Sequence, residues 1–199
     1  MISKQLWVPH DVILEAAALE VVKSEINTLV FAGPGAGKTE LLSQRACFLL
    51  ETNTCPYPKR LLAVSFKKDA AINLSDRVTK RCGKELYCRF ESVTFDSFAK
   101  EILDRFYLSL PAEYRPVKDY IVDTDFSCTK KAYELAGYQY TAVSPQNPKP
   151  SIPKAVMQIL LFGSVEHDFH PALTFNLISR LAYYLLSTNQ LIIKALQST

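Results

Sequence analysis

The stretch "VFAGPGAGKTELL", Val30 to Leu42, decides how the rest of the chain is read. Gly33, Gly35 and Gly37 alternate with Pro34 and Ala36 and run directly into Lys38 and Thr39. Without a Cβ, glycines can turn backbone N–H groups toward one point at no steric cost. The start of a following helix adds its own unpaired N–H groups and positive dipole end. The pattern therefore reads as a phosphate-binding loop, G-x-x-x-x-G-K-[ST]. In such a loop the lysine reaches the β- and γ-phosphates and the hydroxyl ligates magnesium. Strict counting back from Lys38 puts the first glycine of the pattern on Ala32, yet three glycines remain to wrap an anion. The candidate nucleotide site is Gly33, Pro34, Gly35, Ala36, Gly37, Lys38, Thr39 and Glu40. Lys38 and Thr39 carry its chemistry, and Thr39 is the candidate magnesium ligand.

Working outward, the context suits such a loop. "NTLVFA", residues 27–32, is a short apolar, β-branched run that predicts a buried strand. Helical spacing of apolar residues predicts helices over 11–24 and from Lys38 to about Glu51. "LLAVSF", residues 61–66, predicts a second strand, buried on both faces. A helix over 69–81 with Gly83 placed to end it, a strand over 89–94 and a helix over 96–106 complete three strand–helix rounds. That alternation predicts an α/β fold: a parallel sheet flanked by helices, with the loop at the carboxyl ends of its strands. Residues 107–171 lack this rhythm and predict an inserted, mainly helical or irregular subdomain, with four prolines crowded into "SPQNPKPSIP", a stretch that a flexible linker would also explain. Residues 172–199 predict one long apolar helix, with Leu173, Leu177, Leu181, Leu185, Ile192 and Leu196 mostly on one stripe.

Composition narrows the class. The chain has 199 residues, 48% hydrophobic and 22% charged, enough for one ordinary core. Its five cysteines form no C-x-x-C pair and read as reduced structural thiols. No apolar run approaches a membrane span of ~20 residues, and the N-terminus lacks a signal-peptide core, which predicts a cytoplasmic protein. The net charge of +3 hides an asymmetry: Lys59 to Arg89 holds nine basic residues and three acids, a local +6. Such a segment suits contact with a phosphate backbone, or a solvated helix face.

Hydrolysis also needs an acid that holds magnesium and orders water, usually at the end of an apolar strand. Asp123 in "DYIVDTD" and Glu166 or Asp168 in "VEHD" are the available acids, and neither context fits well. Glu166, His167, Asp168 and His170 could form a metal cluster, but a polar turn is the simpler reading.

Three stretches in order, "AGPGAGKT", "LLAVSFKKDAAINLSDRV" and "VTFDSFAKEIL", resemble the first motifs of UvrD/Rep-like superfamily 1 DNA helicases over residues 7–106. That family's loop commonly begins with alanine, as Ala32 does here. The resemblance implies a RecA-like P-loop motor domain over 1–106, cofactors ATP and Mg2+, and a 3′-to-5′ DNA helicase or translocase. It implies single-stranded DNA, or DNA with a 3′ single-stranded tail, as the partner. It places Ser65, Phe66, Lys67, Lys68, Thr94, Phe95 and Asp96 along the DNA path, with Phe66 stacking on a base. It further implies that the chain is an N-terminal piece, because the family's D-E-x-Q-D acid motif and later motifs are missing. The family's adenine-recognising glutamine is also missing: Glu15-Ala16-Ala17 stands near its place, and Gln5 lies too far back. Two other classes stay open: a nucleotide-dependent single-stranded-DNA-binding module without turnover, and a small P-loop kinase using Asp123.

Overall fold

The computed structural model describes residues 2–141 and 151–198, so residues 144–150 of the proline cluster lie outside the described residues. Mixed α/β structure divides into two compact units, Met1–Phe95 with Lys194–Thr199, and Asp96–Ile193.

The first unit is built on two parallel strands, β1 (Leu61–Ser65) and β2 (Phe90–Thr94), in the register Leu61↔Phe90 through Ser65↔Thr94. Helix α3 (Lys68–Tyr87) packs on both strands, α2 (Lys38–Glu51) on α3, and α1 (Ala16–Lys23) on α2. One apolar cluster joins Ala46 and Leu50 of α2, Leu74 and Val78 of α3, and Phe90 of β2. A second joins Trp7, Val22, Cys47 and Phe48. Trp7, only 2% exposed, meets Phe48 edge-on at 5.3 Å and donates its indole N–H to Glu51 Oε2 at 2.6 Å. Glu51 also contacts His10 Nε2 at 2.9 Å, so the N-terminal segment is latched along α2.

Several expectations change. Residues 27–32 form no strand, because no described strand offers them a ladder, and Leu29 and Phe31 stand exposed. β1 is only half-buried, with Leu62 exposed, because the sheet of the described residues stops at two strands. The first helix starts at Ala16 rather than residue 11: Asp11 has φ 58° and Glu15 is extended. Gly83 breaks α3 as expected, at φ 71°, ψ 170°, although one more turn follows it.

In the second unit, α4 (Phe95–Phe106, entered at Asp96) is followed by β3 (Ile121–Val122), α5 (Ser127–Leu135) and α6 (Lys154–Phe162). β3 pairs in parallel with β4 (Ala172–Leu173), a pairing too short for any sequence pattern to announce. The expected single closing helix is two, α7 (Phe175–Thr188) and α8 (Gln190–Ser198), interrupted at Asn189 (φ −124°, ψ 95°). Thr174 caps α7 by accepting from Leu177 N at 3.3 Å. No helix of the described residues is long and apolar enough to cross a membrane.

Candidate functional site

The loop's conformation follows from its glycines. Gly35 and Gly37 take φ values of +77° and +72°, a region that costs an L side chain about 1–2 kcal/mol. Gly37 is the left-handed N-cap of α2, and Leu41 N donates to its carbonyl at 2.9 Å, so the helix begins immediately after the loop. Lys38 folds back over the loop and donates to the carbonyls of Ala32 (2.9 Å) and Gly33 (2.6 Å). Ala32 thereby has a specific role: its carbonyl, not its side chain, receives the lysine. Gly33, Pro34, Gly35, Ala36, Gly37 and Lys38 are exposed, and Thr39 is half-buried in the first turn of α2.

Glu40 follows Thr39 but turns away from the loop, toward α3. Its carboxylate accepts from Gln44 Nε2 (2.8 Å), lies 2.9 Å from Arg81 Nη1 and pairs with Arg77 Nη1. Burial opposes its ionisation. The Gln44 and Arg81 hydrogen bonds and the charges of Arg81 and Arg77 outweigh that and hold it below the usual carboxylate range. Gln44 is fully buried and uses both ends of its amide on His10, accepting from His10 N at 3.0 Å and donating to His10 O at 2.6 Å. Gln44 and His10 carry no signal in the sequence, and Arg81 counts there only as one charge of the basic segment, because a polar residue on a helix carries no sign of its partner.

At the carboxyl ends of β1 and β2 the register does something that neither motif reveals alone. Ser65 pairs with Thr94, so the next residues, Phe66 and Phe95, emerge side by side. Their rings lie 4.9 Å apart at 42°, with Phe66 90% and Phe95 50% exposed. Lys67 and Lys68 follow, both exposed, and Ser65 Oγ donates to Lys67 O at 3.0 Å. Asp96, exposed in the first turn of α4, is the first residue of the second unit.

The basic segment is less uniform than its charge suggests. Arg77 and Arg81 face Glu40, Arg60 pairs with Glu91 at 3.4 Å, and Arg89 donates to the carbonyls of Cys55 and Lys59. The five lysines of this stretch, Lys59, Lys67, Lys68, Lys80 and Lys84, are all exposed.

The other acids have local roles in the second unit. Asp123, 3% exposed, caps α5, with Oδ2 accepting from Thr129 N (2.8 Å) and Thr129 Oγ1 (2.5 Å). Residues 164–169 form a tight turn closed by reciprocal bonds between Ser164 and Phe169. No group of three or more metal-ligating side chains occurs among the described residues. Thr39 itself stands half-buried beside open glycine backbone.

A glycine loop that hands a lysine and a threonine to the first turn of a helix, in a unit with a parallel strand pair, defines the phosphate-loop class of α/β proteins. Within that class the chain belongs to the UvrD/REP helicase N-terminal domain family, whose family model matches residues 14–191. Among curated relatives, the chain is 39% identical over 88 residues to the ATP-dependent DNA helicase PcrA of Staphylococcus aureus, covering 43% of this chain and 12% of that protein. It is 28% identical over 131 residues to DNA helicase IV of Escherichia coli, covering 62% and 19%. A probable DNA helicase II homolog of Mycoplasma genitalium is 32% identical over 75 residues, covering 38% and 10%. The chain thus spans less than a fifth of the length of each of these relatives.

Proposed function

We propose that this chain is the nucleotide-binding, N-terminal part of an ATP-dependent 3′-to-5′ DNA helicase, with the architecture of a RecA-like motor domain interrupted by a helical subdomain. The observation that carries this reading is the exposed Phe66–Phe95 pair, directly after the strands of the unit that also holds the phosphate loop. Two adjacent phenyl rings exposed where paired strands end offer a surface on which the bases of a single-stranded nucleic acid can stack.

In this reading the N–H groups of Gly33, Gly35, Ala36 and Gly37 and the start of α2 would hold the phosphates. Lys38 exchanges its two loop carbonyls for phosphate oxygens, and Thr39 supplies a magnesium ligand. ATP supplies the free energy, and the acid that orders water belongs to no residue described here. Ser65, Phe66, Lys67, Lys68, Thr94, Phe95 and Asp96 form one wall of the strand's path, where aromatics stack and lysines follow the backbone. The chain by itself binds nucleotide and single strand but turns over slowly and unwinds nothing. The kinase alternative would rest on Asp123, a buried acid with one oxygen already bound to Thr129 in the first turn of α5.

The test is a fluorescence-anisotropy titration of the chain against a labelled oligothymidine and a blunt duplex of equal length. Tighter binding of the single strand, weakening as salt rises, is expected. Equal affinity for both would remove the basis for the assignment, and brisk DNA-stimulated hydrolysis by these 199 residues would overturn the division of labour.

A further inference from the structure

Two arginines of the basic segment serve a different part of the molecule from the lysines. Arg81 is nearly enclosed, its side chain 9% exposed. Its Nη1 lies 2.9 Å from Glu40 Oε1 and donates to Ser43 Oγ at 2.6 Å, while its Nε lies 3.7 Å from Asp11 Oδ2. Arg77, one turn earlier on α3, pairs through Nη1 with the other oxygen of Glu40 and steadies its Nε on Asn73 Oδ1 at 2.7 Å. Both guanidiniums therefore converge on one carboxylate in the first turn of α2, one residue beyond Thr39.

That carboxylate sits where it does harm to the loop. A negative side chain in the first turn is attracted to the helix N-terminus, the same positive end a phosphate would occupy. Left uncompensated, Glu40 would compete for that end and repel a polyphosphate. The geometry points to Arg77 and Arg81 as positioning residues for the phosphate loop: they draw the Glu40 carboxylate back against α3 and cancel its charge, leaving the end of α2 to the nucleotide. The inference rests on the reading of residues 33–40 as a nucleotide site. It goes beyond that reading by assigning two cations of the basic segment to the support of the phosphate loop.

The test measures binding of magnesium with a fluorescent N-methylanthraniloyl ATP to the 199-residue chain. Arg77→Met, on a side chain 41% exposed, should fold normally, as a thermal melt would verify, and bind about three- to tenfold more weakly. Adding Glu40→Gln should bring affinity back to within about twofold of wild type, because the charge that needed cancelling is gone. Arg77→Lys should recover most of the loss. Lys80→Met, an equal change of net charge elsewhere on α3, should leave affinity within about twofold. A merely structural role for Arg77 predicts no rescue by Glu40→Gln, so a loss that persists in the double variant overturns the proposal. Unchanged affinity in Arg77→Met overturns it as well. If wild type shows no binding that Lys38→Ala abolishes, the nucleotide reading itself fails and this proposal falls with it. Lys38-dependent binding that ignores Arg77 overturns the proposal alone.

Discussion

Phe66→Ala removes a ring that the fold leaves 90% exposed, so its cost to folding and its cost to binding should separate cleanly. Phe66 precedes Lys67, the N-cap of α3, but its ring makes no cap hydrogen bond, and an exposed side chain of that kind contributes within about 0.5 kcal/mol to stability. The contact with Phe95, at 4.9 Å and 42°, adds about 0.5–1.5 kcal/mol at most. The variant should therefore melt within a few degrees of wild type. Base stacking on an aromatic ring is worth about 1–3 kcal/mol, so loss of the ring should raise the Kd for oligothymidine about five- to 150-fold. Phe95 is half-exposed and sits against Phe66, so Phe95→Ala should cost less alone, about 0.5–1.5 kcal/mol. If the two rings form one platform, the double variant should lose less than the sum of the singles, with a coupling energy of about 0.5–1.5 kcal/mol. Anisotropy titrations at one fixed low salt concentration give all four Kd values. A folded Phe66→Ala protein with Kd unchanged within about twofold would refute the stacking argument. Strict additivity would leave two independent contacts and refute the shared platform.

Other consequences are simpler to state. Trp7→Ala should destabilise the first unit by about 3–5 kcal/mol, the usual cost of truncating a buried tryptophan, read as a lower urea midpoint. At Gly163 an added Cβ would lie 2.5 Å from Phe169 O and 2.9 Å from Pro171 Cδ at φ +75°. Gly163→Ala should therefore cost the second unit about 2 kcal/mol or more in a denaturant titration. Because Glu40 titrates below its ordinary value, the stability it contributes is full above the unfolded-state carboxylate range and is lost as pH falls through its depressed folded value. Glu40→Gln should flatten that acid limb, measured as the urea midpoint against pH between about 3 and 6. Cys47 is buried, and its hydrogen bond with Cys82 together with burial raises its thiol pKa, whereas Cys88 is exposed. Iodoacetamide should alkylate Cys88 in the native protein and reach Cys47 only on unfolding.

How much of this was legible in the sequence depends on how local each cause is. The loop, α2, β1 and β2 were legible because glycine spacing, a helical start and short apolar runs act within about ten residues of themselves. Residues 27–32 show the opposite case. An apolar, β-branched run announces a wish for burial, but a strand exists only when another backbone completes its ladder, and that partner is not written in the run. Leu29 and Phe31 therefore stay exposed, although composition alone would place them in a core. The same logic separates the charges. Nine basic residues between Lys59 and Arg89 look alike as a sum, yet Glu40 lies outside that window and pairs with Arg77 and Arg81, burying the second of them. It also explains the aromatic pair: "SF" and "TF" end two separate motifs, and only the one-to-one register of β1 on β2 sets Phe66 beside Phe95. A slip of one residue would turn one ring to the opposite face of the sheet and break the platform. The site is therefore a property of the strand pairing, and any substitution that shifts that pairing should abolish single-strand binding while leaving both phenylalanines in the sequence.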